Sequence, residues 1–75
     1  MLTEIKEREK QSLTSAELNV IDWINENEEK IPDMSINEIA DASFTSPATV
    51  SRAIRKCGFS GIAEMKYKIS SQMNY

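Results

Sequence analysis

The stretch SPATVSRAIRKCGF, Ser46 to Phe59, decides how the rest of the chain must fold. Ser46 followed by Pro47 reads as a helix start. The serine hydroxyl can accept from amides of the first turn, and proline at the first helical position gives up a donor that would have no partner anyway. Gly58 reads as the stop, because glycine enters the left-handed region after a last turn without steric cost. Between these marks Val50, Ala53, Ile54 and Cys57 recur at helical spacing, and at about 100° per residue they form one stripe. Ala48, Arg52 and Arg55 fall on the opposite side, with Ser51 and Lys56 on the flanks. The product is a short helix with an apolar back and a cationic front, slender near its N-terminus. A helix of that shape suits the DNA major groove, which admits one α-helix.

Working upstream, Ser35 and Glu38 have the spacing of a capping box, and Ile36, Ile39 and Ala40 supply an inner face for a helix over 36–42. Two turns of helix are unstable alone and need a neighbour to pack on. Ala42 to Thr45 then make a tight turn into the Ser46 cap. Two short helices so joined match the helix-turn-helix unit, whose second helix enters the groove while the first crosses the backbone. Before them, Thr14 and Glu17 form another capping box, opening a helix over 15–29. Leu18, Ile21, Trp23 and Ile24 supply its buried side, Val20 is expected to be partly covered, and Pro32 closes the helix or its loop. Trp23 is read as a packing anchor rather than a base-stacking platform. A brief charged helix is expected over 2–10. Downstream, Phe59 folds back beyond the cap, and Ile62, Met65 and Ile69 mark a last helix over 61–73. The fold class is all-α, a five-helix bundle containing a helix-turn-helix.

Charge is unevenly divided along the 75 residues, whose net charge is −3. Residues 1–43 carry four basic and eleven acidic side chains, net −7; residues 44–75 carry five basic and one acidic, net +4. Local distribution decides where a phosphate backbone would dock, and the positive charge gathers in and after the groove helix. No apolar run approaches the roughly 18 residues that a membrane helix needs. The absence of histidine and the single Cys57 remove the usual metal sites, an imidazole base and any internal disulfide. Neither a phosphate-cradling glycine loop nor a persuasive catalytic carboxylate pair is present. No cofactor, metal or catalysis is expected, and a lone cysteine with no leader-like apolar segment fits the reducing cytoplasm.

Arg52 is the sharpest candidate, since an arginine on the open side of a groove helix can donate two hydrogen bonds to guanine O6 and N7. Thr49 and Ser51 offer hydroxyls to base edges, or to their own helix backbone. Pro47 and Ala48 offer small apolar surfaces to a thymine methyl. Arg55 and Lys56, one turn later, suit phosphates, which fix register without carrying sequence information. Ser35 and Ser46 sit beside first-turn amides that can also receive a phosphate, and Lys66 on the last helix completes the phosphate set. The competing reading is a small helical protein-interaction domain that uses the acidic face of the 15–29 helix, or Phe44 and Trp23, without binding DNA.

Three pieces of sequence together carry a resemblance: Ser35–Ile36–Asn37–Glu38–Ile39–Ala40; Ser46–Pro47–Ala48–Thr49–Val50–Ser51–Arg52; and Arg55–Lys56–Cys57–Gly58–Phe59–Ser60–Gly61 with Glu64 and Lys66 beyond it. This resembles the N-terminal domain of RpiR-type bacterial transcriptional regulators over nearly the whole chain. The resemblance implies a double-stranded operator as partner, Thr49, Ser51 and Arg52 on the DNA side, and Val50 in the core. It also implies a homodimer reading two half-sites, and a sugar-isomerase-like domain elsewhere in a longer protein through which a phosphosugar controls the regulator. Three positions depart from the family pattern. Phe44 stands where glycine is common in the turn, so the left-handed residue is either moved or the ring fills a groove. Thr45 and Cys57 replace aliphatic residues, which implies a slightly thinner core.

Overall fold

Thr14 starts the first helix as its spacing to Glu17 requires. In the computed structural model, which describes residues 12–73, the Glu17 amide donates to Thr14 Oγ1 at 3.1 Å. The Thr14 amide donates back to Glu17 Oε1 at 2.9 Å. Helix α1 runs Ser15–Glu26. It is followed by a 3₁₀ turn at Ile31–Asp33, then α2 at Ile36–Ala42, α3 at Pro47–Lys56 and α4 at Ile62–Met73. The helix expected over 2–10 lies outside the described residues. Among those residues the all-α fold has four α-helices, not five.

The expected helix over 15–29 stops three residues early, at Glu26. Asn27 is the cause. Its Nδ2 donates to the Trp23 carbonyl at 2.8 Å, and its amide turns to Ile24 O at 3.1 Å. The helix is capped before Pro32 can act, and the proline instead helps start the 3₁₀ turn. Two other ends shift by one residue, the rest standing as expected: Cys57 caps α3 rather than extending it, and the Gly61 carbonyl accepts the Met65 amide just before α4.

The core is one cluster drawn from every element. Val20, Ile21 and Ile24 come from α1, Ile31 from the 3₁₀ turn, and Ile39 and Ala40 from α2. Helix α3 adds Val50, Ala53 and Ile54, and α4 adds Met65 and Ile69. Val20 is wholly buried, not partly covered. Trp23, Ile36, Cys57 and Phe59 pack half-buried against this cluster, which agrees with Trp23 as an anchor. Burying an isoleucine side chain contributes about 1.5–3 kcal/mol, so Ile39 with Ala40 can hold the seven-residue α2 that would not persist alone.

Two helix ends share one main-chain device. After α3 the Gly58 amide donates to Arg55 O at 3.0 Å and the Phe59 amide to Ile54 O at 3.3 Å. That is a Schellman motif with Gly58 left-handed at φ 97°. After α2 the Phe44 amide donates to Asp41 O at 3.2 Å and the Thr45 amide to Ala40 O at 2.8 Å. The motif is the same, but its left-handed residue is Phe44, at φ 59°. The turn geometry has not moved to suit the side chain. Buried Ser43 supports it, with Oγ donating to Ile39 O at 2.7 Å.

The Phe44 ring gains little in return, being 95% exposed. It borders an open groove of about 330 Å³ that is also lined by Trp23, Asp22 and Glu26. A left-handed residue bearing Cβ costs roughly 1–2 kcal/mol, partly offset by the entropy glycine adds to the unfolded chain. Phe44→Gly is therefore expected to stabilise the fold by about 1 kcal/mol, raising Tm by several degrees in a calorimetric melt.

Candidate nucleic-acid interface

Helices α2 and α3, joined by Ser43 to Ser46, form the helix-turn-helix, and α1 packs across α3 from behind. Ser46 caps α3 by accepting the Thr49 amide at 3.2 Å. Val50, Ala53 and Ile54 face the core with no exposure. That orientation turns Pro47, Ala48, Arg52, Arg55 and Lys56 to solvent, with Thr49 and Ser51 half-buried at the edges. No residue from Pro47 to Lys56 is acidic.

Of the residues expected to meet phosphate, Ser46, Arg55 and Lys56 lie on or at the start of α3. Ser35 instead caps α2 by accepting the Glu38 amide at 3.1 Å. The Ser35 amide donates to Glu38 Oε1 at 2.9 Å. These bonds to Ser35 lower the Glu38 pKa, with a smaller contribution from the Lys66 ammonium. Ser35 and Lys66 thus belong to one neighbourhood, at the start of α2 and on α4. Lys68 of α4 instead lies 6.0 Å above the Phe59 ring.

The arginine front is tied to α1 by a residue that local sequence reasoning treats only as part of a cap. Glu17 is 1% exposed. Its Oε1 accepts Lys56 Nζ at 2.8 Å and its Oε2 accepts Arg52 Nε at 3.4 Å. Lys56 Nζ also donates to Ser12 O at 3.0 Å. Arg52 Nη2 donates to Thr49 Oγ1 at 3.3 Å, and Thr49 Oγ1 lies 3.0 Å from Ser46 Oγ. One polar chain thus runs along α3 from its cap to its last turn. The Lys56 ammonium, then the Thr14 amide and more weakly the Arg52 guanidinium hold the Glu17 carboxyl down at about 2, overcoming burial, which pushes it up.

A signal for Glu17 was present in the sequence. It falls in register with Val20, Ile21 and Ile24 on the buried stripe of α1, and a carboxylate on such a stripe requires a cationic partner. What the spacing does not say is which cation. Arg52 keeps 60% of its side chain exposed and Lys56 36%. Both reach Glu17 from the rim of the exposed front without being drawn under it.

This fold and this cationic second helix define a helix-turn-helix domain. The chain belongs to the rpiR family of helix-turn-helix domains, whose pattern it matches over residues 1–74. It is also similar to an uncharacterized HTH-type transcriptional regulator of Caldanaerobacter subterraneus subsp. tengcongensis, 37% identical over 59 residues. That match covers 79% of the chain but 21% of the relative, so the chain spans about a fifth of that protein's length. No solved structure matches significantly. A helix-turn-helix domain of this family supports a DNA-binding, regulatory role. Among the described residues, no helix is long and apolar enough to cross a membrane, and no group of three His, Cys, Asp or Glu could hold a metal ion.

Proposed function

We propose that the domain binds double-stranded DNA sequence-specifically by laying α3 in the major groove. Arg52 reads a guanine, Thr49 and Ser51 offer hydroxyls to base edges, and Pro47 and Ala48 meet a thymine methyl. Ser35, Ser46, Arg55 and Lys66 take phosphates, joined by Lys56 through the N–H that its two protein acceptors leave over. One observation carries this reading: the outward side of α3 is open to solvent, cationic and free of carboxylates of its own. In the cytoplasm the whole regulator pairs as a homodimer, so that two α3 helices address two half-sites. A phosphosugar governs it through a part of the protein outside this chain.

Selection of bound duplexes from a random library, repeated across salt concentrations, tests the reading. Recovery of one motif in two spaced copies is the expected result, and recovery of unenriched sequence would refute it. Sedimentation at several concentrations tests the pairing separately. Arg55→Ala is expected to weaken binding to selected and random duplexes alike, and to lower the salt slope by about one. A loss confined to the selected sequence would remove Arg55 from the phosphate set.

A further inference from the structure

Arginine carries five N–H donors on a planar fork. Glu17 Oε2 takes the Nε donor and Thr49 Oγ1 takes one from Nη2. Three N–H groups remain, all on the terminal nitrogens. We propose that Glu17 is a specificity-determining positioning residue, which holds Arg52 by its Nε so that the terminal edge of the fork is presented to a guanine. This inference rests on the reading of Arg52 as a base contact.

Three features support it. Glu17 itself cannot wander, because it is 1% exposed and its Oε1 is fixed by the Thr14 amide at 2.9 Å and by Lys56 at 2.8 Å. An arginine anchored to such a group loses less rotamer freedom on binding than one waving in water, and this favours the geometrically demanding base contact over a loose phosphate contact. Lys56 also settles the electrostatics. A carboxylate paired with Arg52 alone would cancel the charge that attracts DNA. With Lys56 on the other oxygen, the trio keeps one net positive charge, and the free edge of the fork carries it outward.

Reading the base and aiming the reader fall to different side chains. Arg52 touches the base, and Glu17 acts on the base only through Arg52. Glu17→Gln keeps the shape and the acceptor for the Thr14 amide but loses the charge that holds the fork. Its expected effect is a drop of about tenfold in discrimination at one base-pair position, the same position at which Arg52→Ala loses preference. Affinity for random duplex should hold or rise, since a negative charge has gone. The double variant should discriminate no worse than Arg52→Ala alone.

Lys56→Gln separates positioning from simple stabilisation. It removes one phosphate contact and lowers Tm, so affinity for every duplex should fall. The Thr14 amide still holds Oε1 and Oε2 stays on Arg52, so the ratio of selected to random affinity should survive. The experiment selects duplexes from a randomised library with each variant and records a thermal melt of each. A Glu17→Gln protein that discriminates like wild type, or a Lys56→Gln protein that loses discrimination equally, would overturn the positioning role while leaving Arg52 as reader. An Arg52→Ala protein with unchanged preference would overturn both. Should Glu17→Gln fail to fold, the wild type suffices. Its Arg52 Nε–Hε NMR signal is expected to stay bonded to Glu17 when a selected duplex is added, and release of Glu17 on binding would refute the proposal.

Discussion

Glu17→Ala is expected to lower the stability of the domain by about 2–3 kcal/mol, a fall in Tm of roughly 10–20 °C for a chain of this size. The substitution removes the acceptor for the Thr14 amide, which is half of the capping box that opens α1. It also removes the two charge-assisted bonds that join α1 to α3. The loss is smaller than that from breaking a fully buried pair, because Arg52 and Lys56 can each rehydrate once released. Denaturant unfolding followed by circular dichroism measures it. A change under about 0.5 kcal/mol, the scale of an ordinary surface substitution, would mean that the clamp adds nothing beyond the apolar core.

The same carboxylate makes the fold acid-sensitive in a defined window. Its folded pKa is about 2 against an ordinary 4.5. The folded state therefore binds the proton less well than the unfolded chain. The stability Glu17 contributes is complete above pH 4.5 and drains away as pH falls toward 2. Wild type should lose Tm across that interval faster than Glu17→Gln. Glu38, also lowered, leaves a residual slope of the same sign in the variant.

Arg52→Ala should strike function where Glu17→Ala strikes stability. Arg52 buries little, so the fold should survive with a modest loss from the clamp. A bidentate arginine–guanine contact is worth about 1–3 kcal/mol of discrimination, so affinity for a selected duplex should fall between about fivefold and 150-fold. Affinity for random duplex should fall far less. Titration of both duplexes by fluorescence anisotropy at fixed salt separates the two. Equal losses on both would place Arg52 among the phosphate contacts.

What the chain discloses locally, it discloses well. The Ser46–Pro47 start, the Gly58 stop, both capping boxes and the bounds of α2 follow from residues within four positions of one another. Failures occur where a side chain outvotes the pattern or a partner is far away. Asn27 ends α1 by bonding to the Trp23 carbonyl, and nothing in the apolar periodicity announces it. Phe44 takes a glycine's conformation because the Schellman bonds and Ser43 impose it, against the preference of its own backbone. The Glu17 clamp joins positions 35 and 39 residues apart. The arginine-bearing side of α3 was legible from one stripe of four apolar residues; its brace was not.

Closure of α3 by a serine cap at one end and main-chain bonds at the other has a consequence for how such a domain acquires a new address. The outward residues are not needed to define where the helix begins or ends, nor to bury its back. Positions 48, 51 and 55 can be rewritten without renegotiating the scaffold. Arg52 and Lys56 differ, because each is also bonded to Glu17 of α1 and its exchange loosens that tie. The outward side of α3 therefore has three positions whose exchange leaves the scaffold alone and two whose exchange also weakens its link to α1.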